Sequence, residues 1–437
     1  MTYSKTVNLN SQGWYLGTNP LTLLGTWTND ADVVRVKTTC IYGIQVLSTN
    51  ITVNTLGGND TITGTSTSTK IDSAGIFNNG IIDTEDGKDI ICGISTSTKN
   101  RSNGIRNNGT INTGNDNDTI IGNGSSVNLG SNGIRNDGTI NTGNGNDTMI
   151  GTGDSLVGIL NYDGIIDTGD GNDTITGIGS SGISNLSGTI KTGDGNDTIT
   201  ATGTKDTGFQ NYFATTDTGN GDDTITVTGR FIGLNGGGIY TGNGNDTITA
   251  TGTKDTGIFS TPNSFINTGD GNDTITGTSN NTGITSLGII DTGEGEDIII
   301  GQATAANGGD AHGIFGDGTI KTGSGNDQVT AISSIDEVQQ KVSIGGGITI
   351  ELDSGNDCFK GFGSGTVNGG TGFDTLDLSV FNRSQLVISG ISSDNTLNSA
   401  NLTFNNNGDA ITLSTTGFES FIFADSALYY SSLANAA

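Results

Sequence analysis

One short phrase recurs along most of the chain and constrains its fold more than any other feature. Residues 164–177 read GIIDTGDGNDTITG, and variants of this phrase return along the chain with an aspartate at the same place in each. These turn aspartates are Asp60, Asp89, Asp118, Asp147, Asp173, Asp197, Asp223, Asp246, Asp273, Asp297, Asp327, Asp357 and Asp374. An apolar residue lies two positions after each aspartate, and another lies seven positions before each one except where Thr216 takes that place. Two apolar anchors around a glycine-rich turn therefore define the repeating unit.

Each copy of the phrase reads as a strand, a tight turn and a second strand. In Thr174-Ile175-Thr176 the β-branched residues alternate between polar and apolar, which favours a strand whose isoleucine points inward. The glycines suit a turn backbone that visits positive φ and approaches a neighbouring group closely. One unit cannot bury its own isoleucine, so the copies are expected to stack and bury a continuous column.

A second pattern, Gly-Ile-x-Asn, runs between the turns. Variation in length falls in the segment before this pattern, as in GTSTSTK at 64–70, and three short strands per coil describe a parallel β-helix. The asparagines of the pattern are expected to stack as a ladder. They are Asn78, Asn107, Asn136, Asn161 and Asn185.

The turns resemble the nonapeptide repeat GGxGxDxUx of the RTX family, the hemolysin-type calcium-binding repeat of secreted bacterial β-roll proteins. The match is complete at 369–377, which reads GGTGFDTLD, and elsewhere the first glycine is usually threonine, giving TGxGND. The resemblance covers residues 53–377. It implies an all-β, right-handed parallel β-helix or β-roll solenoid with a calcium-loop edge. Several Ca²⁺ ions would lie between stacked turns, held by the turn aspartates and by backbone carbonyls.

The metal ligands implied by the resemblance are the thirteen turn aspartates and the residues of three fully formed turns. Those turns contribute Gly169, Asp170, Gly171, Gly193, Asp194, Gly195, Gly269, Asp270 and Gly271. Oxygen-bearing residues at the third turn position, such as Asp170, are expected to add ligands. Departures from the pattern are expected to mark weaker sites. They occur at Leu56, Glu85, Asp116 and 352–353.

Composition agrees with a solenoid that collects divalent cations. Glycine accounts for 74 of 437 residues and hydrophobic residues for 31%, which is little for an ordinary globular core but enough for a thin isoleucine column. The net charge of −28 argues against nucleic acid or an anionic membrane as a partner. The three cysteines lack metal-binding spacing and are expected to be free and buried. No apolar run is long enough to span a bilayer, so no membrane insertion is expected.

The two ends of the chain differ in texture from the repeats. Residues 1–50 hold Trp14 and Trp27 and are expected to form an N-terminal β cap, followed by the repeats at 51–377. Residues 378–437 are poorer in glycine and are expected to form a C-terminal β cap. The N-terminal residues do not read as a signal peptide. The RTX resemblance implies type I export, directed by a signal near the C-terminus.

Other chemistries fit the sequence less well. The loops lack the glutamate of an EF-hand, and strands rather than helices follow the glycine-rich turns, which excludes a phosphate loop. His312 is the single histidine and has no companion nucleophile, so no catalytic residue is assigned and the chain is not expected to be an enzyme.

The resulting hypothesis is a secreted, calcium-binding structural protein of the cell surface or extracellular matrix. It would act as a coat, sheath, filament or adhesive spacer, with further copies of itself or a cell-surface polysaccharide as partners. One alternative is a polysaccharide-acting lyase or epimerase. Another is an ice-binding RTX protein. Such proteins resemble this chain in their xGxGND turns, but they carry threonine at the third turn position, where Asp or Asn predominates here.

Overall fold

The computed structural model describes residues 29–435 apart from 30, 51, 98–100, 127–129, 307–308 and 393–397. The expected cap strands around Trp14 and Trp27 lie outside these residues. The chain divides into two compact units, Met1–Gly229 and Arg230–Ala437. Each unit is a parallel β-solenoid, as the sequence predicts.

The first unit is built from coils of three short strands. In chain order its strands are β1 Val33–Thr38, β2 Tyr42–Val46, β3 Thr52–Asn54, β4 Thr61–Ser66, β5 Ser73–Asn78, β6 Ile81–Asp83, β7 Ile90–Ser97, β8 Ser102–Asn107, β9 Thr110–Asn112, β10 Thr119–Ser126, β11 Ser131–Asn136, β12 Thr139–Asn141, β13 Thr148–Gly153, β14 Val157–Tyr162, β15 Ile165–Asp167, β16 Thr174–Gly179, β17 Ser181–Leu186, β18 Thr189–Lys191, β19 Thr198–Gly203, β20 Phe209–Tyr212, β21 Thr215–Asp217 and β22 Thr224–Gly229. The first strand of a coil follows the turn aspartate, as β16 follows Asp173. Each strand pairs in parallel and in register with its counterpart one coil away.

The second unit continues the same pattern and ends in antiparallel strands. Its elements are β23 Ile232–Tyr240, β24 Thr247–Gly252, β25 Thr256–Asn267, β26 Thr274–Ser279, β27 Thr282–Ser286, β28 Ile289–Asp291, β29 Ile298–Ala305, β30 His312–Phe315, β31 Thr319–Lys321, β32 Gln328–Ile335, β33 Val338–Gln339, β34 Ile344–Glu351, β35 Ser354–Gly355, β36 Cys358–Lys360, β37 Gly363–Asn368, β38 Thr371–Gly372, β39 Asp374–Leu378, a 3₁₀ turn at Arg383–Gln385, β40 Val387–Ser389, β41 Ser399–Asn406, β42 Asp409–Thr416, β43 Phe418–Phe423, β44 Ala427–Tyr429 and α1 Tyr430–Asn435. Strands β42 and β43 pair in parallel with β37 and β39, while β41 and β44 add antiparallel partners to them.

After the first coil, corner lengths in the first unit are constant at two corners and variable at the third. From β5 onwards two residues separate the second strand from the third, against five between β2 and β3, and six residues separate the third strand from the next first strand. Between the first and second strands the gap ranges from a single residue, Ser180, to the six residues 67–72. This confirms that variation in length falls before the Gly-Ile-x-Asn pattern.

The apolar anchors form the expected buried column. Ile175 aligns with Ile199 and Ile225 in the neighbouring coils, and all three side chains are fully buried. Thr216, the polar exception, is buried as well, and its hydroxyl donates to Oδ1 of Asn211 at 3.2 Å. A neighbouring amide therefore compensates for its polarity.

The asparagine ladder is confirmed. Each side-chain amide nitrogen donates to the amide oxygen of the next asparagine at 2.8–2.9 Å, and the residues are fully buried. The ladder also includes Asn211, which accepts from Asn185 at 2.9 Å. Its coil reads Gly-Phe-Gln-Asn, so the motif did not reveal it.

The cysteines Cys92 and Cys358 are free, as predicted, and all three cysteines including Cys40 are half-buried rather than buried. No helix among the described residues has the length and apolarity needed to cross a membrane.

Candidate metal centre

The backbone of the turns requires glycine because of the adjacent coil. Gly169 and Gly171 have φ values of +80° and +147°, where a side chain would be strained. A Cβ atom on either would also collide with a carbonyl oxygen of the preceding coil, that of Gly143 or Gly145. The other two sequence-selected turns share this geometry at Gly193, Gly195, Gly269 and Gly271. The close approach predicted for these glycines is therefore an approach to the next coil of the chain itself.

The turn aspartates form a hydrogen-bonded row within each unit. Oδ1 of Asp173 accepts the backbone N–H of Asp147 at 2.7 Å, and the N–H of Asp173 donates to Oδ1 of Asp197 at 2.7 Å. In the second unit Asp297 has the same two contacts, at 2.8 Å from Asp273 and 2.9 Å to Asp327. All thirteen aspartates are at most 2% exposed. The structure thus brings these site residues together in rows, one carboxyl per coil.

The second carboxyl oxygen of the turn aspartates, Oδ2, indicates what the row could bind. In many of the turn aspartates Oδ2 is buried and has no hydrogen-bond partner among the described residues. These aspartates are Asp60, Asp89, Asp118, Asp147, Asp173, Asp197, Asp273, Asp297, Asp327, Asp357 and Asp374. A buried carboxylate oxygen without a partner carries a desolvation cost of several kcal/mol, and such atoms are rare in folded proteins. A cation against Oδ2 would remove this cost in each of these coils.

Burial perturbs the acidity of the row. It raises the pKa of Asp173 to about 7 and that of Asp118 to about 8, although the nearby threonine hydroxyl and the bonded backbone N–H lower each pKa in part. The charges of adjacent turn aspartates add to the increase in both. Burial likewise raises the pKa of Asp89, Asp273 and Asp357 to about 7, and of Asp60, Asp147, Asp297 and Asp374 to about 6. Without a counter-ion these carboxyl groups therefore keep their protons to a higher pH than exposed aspartates do.

The donor set fits a hard cation better than a transition metal. No group of three or more His, Cys, Asp or Glu side chains that could hold a metal ion occurs among the described residues. With one buried carboxyl per coil, the remaining ligands inside the row would have to be backbone carbonyl, hydroxyl or water oxygens. Ca²⁺ accepts such all-oxygen sets, whereas structural zinc sites use thiolate and imidazole ligands.

Comparisons with known proteins leave the family unassigned. No protein-family model and no curated protein matches the chain. Among solved structures, the chain is similar to a hyperactive, Ca²⁺-dependent, β-helical antifreeze protein from an Antarctic bacterium. The identity is 16%, the similarity covers 94% of this chain and 93% of that one, and the TM-score is 0.46. A similarity of this size carries no argument about function, and the site rests on the geometry above.

The residues at the third position of the turn differ in burial from the turn aspartates, which occupy the sixth position. Asp170, Asp194 and Asp270, predicted as additional ligands, have exposed side chains, whereas the turn aspartates are buried. Oδ1 of Asp194 accepts from the side-chain amide of Asn220 at 2.7 Å. In each unit these residues therefore lie on the outside of the turns, apart from the buried row.

The threonine that replaces the first glycine of the RTX pattern has a role that sequence reasoning missed. Thr142, Thr168 and Thr192 are buried, and each hydroxyl donates to the carbonyl of the corresponding threonine in the next coil at 3.1–3.4 Å. The recurrence of TGxGND was the available signal. The threonines link successive turns next to the aspartate row.

Glu419 is a second residue that the sequence did not reveal. Its Oε2 accepts the backbone N–H of Asp374 at 2.8 Å, the contact that a further turn aspartate would make. Its Oε1 accepts from the amide of Asn398 at 2.7 Å. Residues after the last repeat thus complete the row of the second unit.

The sequence departures coincide with strained backbone. Leu56, Glu85, Asp116 and Asp353 all have φ between +56° and +84°, the left-handed region that disfavours residues other than glycine. The prediction that these coils hold weaker sites stays a prediction.

The single histidine lies beside a cavity in the second unit. This cavity of about 500 Å³ is lined by Asp310, His312, Gln340, Lys341 and Phe404, among others. Burial lowers the pKa of His312, so its ring is neutral near pH 7. The ammonium group of Lys341 lies 5.2 Å from the ring centroid of Phe404, in a cation–π contact at the wall of the cavity.

Proposed function

We propose that the chain is a calcium-binding β-solenoid protein with a structural role at the cell surface or in the extracellular matrix. The observation that carries the calcium assignment is the row of buried, unpartnered Oδ2 atoms on successive turns. The net charge of −28 and the all-oxygen character of the turns support the same choice of ion.

The turn aspartates would hold Ca²⁺ through Oδ2, while Oδ1 keeps its hydrogen bond to the preceding coil. Bound calcium supplies positive charge between carboxyl groups that otherwise repel one another. The chain itself does the positioning: the glycines permit close stacking, and the buried threonines link one turn to the next. Folding and calcium loading would therefore be coupled.

Replacement of Asp173 by asparagine tests the assignment. The amide retains the size of the side chain and an oxygen for the N–H of Asp147, but it lacks the charge. In calcium at 100 times its dissociation constant we expect the variant to lose about 2.7 kcal/mol of stabilisation, the contribution of one site. In chelator we expect no loss, because a costly buried charge is absent. Thermal unfolding with and without calcium, together with calcium content, measures this.

Asp170→Asn is the matched control, since it makes the same change three residues away on an exposed side chain. It should alter stability by no more than about 0.5 kcal/mol in either condition. Equal effects of the two variants, or an unchanged calcium content in Asp173→Asn, would contradict the assignment.

The structural role and the location are further parts of the proposal. A coat, sheath, filament or spacer needs a long, regular scaffold, and the hydrogen-bonded coils of each unit supply regularity. Type I export, with a signal within 378–437, would deliver the chain to an environment rich in calcium. Its partners would be further copies of itself or a surface polysaccharide.

Immunogold labelling of intact native cells tests the location. We expect label on the cell surface or in the surrounding matrix. Label confined to the cytoplasm would contradict both export and the structural role, while leaving calcium binding open to the test on Asp173.

A further inference from the structure

An uncharged array of threonines lies on four adjacent first strands of the first unit. We define the threonine face as the outward residues, at positions one, three and five, of β13, β16, β19 and β22. Ten of these twelve residues are threonine, and the other two are Ile150 and Ile178. Each is half-buried or exposed, while the residues between them point into the core.

The threonine face is periodic in two directions. Parallel pairing aligns Thr174 with Thr198 and Thr224, and the two further rows of the face are aligned in the same way. Neighbouring strands lie about 4.7–4.9 Å apart, and alternate residues along a strand are separated by roughly 6.6 Å. Threonine is stiff about χ1, so hydroxyl and methyl groups are held in position before any partner arrives. The face therefore presents an ordered two-dimensional lattice.

The fold does not require threonine at these positions. In β7 of the same sheet the equivalent residues are Ile90, Cys92 and Ile94, in register with the rest of the sheet. Third strands of the same coils carry charge in register, at Asp167, Lys191 and Asp217. The chain has a net charge of −28, so the absence of charge from the threonine face is specific to this surface and is not imposed by the fold.

The chemistry of the face restricts its partner. Only a partner that is itself periodic in two dimensions can use every row of the lattice, and the absence of charge favours a neutral partner. The face has no aromatic residue on which a sugar ring could stack. A hydroxyl both donates and accepts, as each water of a crystal lattice does.

We propose that the threonine face binds ice. The ordered hydroxyl groups join the outermost water layer of the crystal, and the methyl groups fill the spaces between those waters. Because the side chains are already fixed, little conformational entropy is lost on binding. In the second unit, β24 and β26 carry a smaller array of six threonines, also in register. This function goes beyond calcium binding and requires only that the coils be folded.

Partition of the full-length protein into slowly growing polycrystalline ice, in buffer containing calcium, tests the proposal. We expect wild type to be enriched in the ice fraction and to produce thermal hysteresis. Thr200→Lys places a charge at the centre of the face, and burying that charge against ice costs more than the roughly 1.4 kcal/mol that lowers affinity tenfold. At least a tenfold loss of the ice-bound fraction is expected.

A lysine substitution elsewhere serves as the control. Gln210→Lys lies on a second strand, away from the threonine face and the turns, and should retain ice binding. Circular dichroism should show that both variants are folded. Exclusion of wild type from ice would overturn the proposal, as would loss of binding in Gln210→Lys with retention in Thr200→Lys. Adsorption to crystalline cellulose or chitin without adsorption to ice would also overturn it.

Discussion

Replacement of Ile175 by aspartate is expected to abolish the folding of the coils around it. The Ile175 side chain is fully buried in register with Ile199 and Ile225, so the substitution creates a cavity and places a carboxyl group in an apolar column. Loss of a buried isoleucine alone costs about 2–5 kcal/mol. The unpaired charge adds to this, and a total above about 5 kcal/mol is expected.

Thr176→Asp is the matched control, because the adjacent side chain points outward from the same strand. A change within about 1 kcal/mol is expected there. Limited proteolysis and denaturant unfolding measure both variants. Similar losses of stability in the two would show that the inward and outward faces of this strand have been assigned wrongly.

In chelator, the stability of the protein is expected to fall as the pH rises from 4 to 8. Burial raises the folded-state pKa of Asp60 to about 6, of Asp173 to about 7 and of Asp118 to about 8, above the value of about 3.9 in an unfolded chain. A raised pKa means that the folded state binds more protons across this window. The stabilisation that these aspartates contribute is therefore fully present below their unfolded-state pKa and is lost as the pH rises through their folded-state pKa values.

Calcium is expected to reverse this behaviour. With calcium the carboxylates are neutralised by the cation, so the melting temperature at pH 8 should exceed that in chelator by at least about 10 °C, which corresponds to several kcal/mol. Melting curves at pH 5 and pH 8, each with calcium or chelator, provide the measurement. A melting temperature in chelator that is independent of pH, or that rises with pH, would contradict the described burial of the row.

The sequence was sufficient to predict the repeating strands, the inward isoleucines and the asparagine ladder. Each of these depends on residues that recur at fixed spacing, and stacking in register converts spacing into contact. Thr216 shows that a departure from the pattern can be compensated by a nearby residue, because its hydroxyl donates to Asn211, five residues earlier in the same coil.

The inside and outside of the turn could not be read from the sequence. Asp170 and Asp173 are the same residue type three positions apart, and only the backbone geometry places one in solvent and the other in the buried row. Glu419 was beyond sequence reasoning for a different reason. It lies 45 residues from Asp374, outside any repeat, and meets it only because β43 pairs with β39.

The unequal corners of the coils have a consequence for how such a chain can change. An insertion between the third strand of one coil and the first strand of the next would displace an aspartate from its row, whereas the corner after the first strand already accepts one to six residues. New segments can therefore be grafted at that corner, for example between Gly203 and Phe209, without altering the register of either neighbour. In the first unit the fold is in this sense a display scaffold, with a permissive corner after the first strand of each coil and a constant six-residue corner before the next first strand.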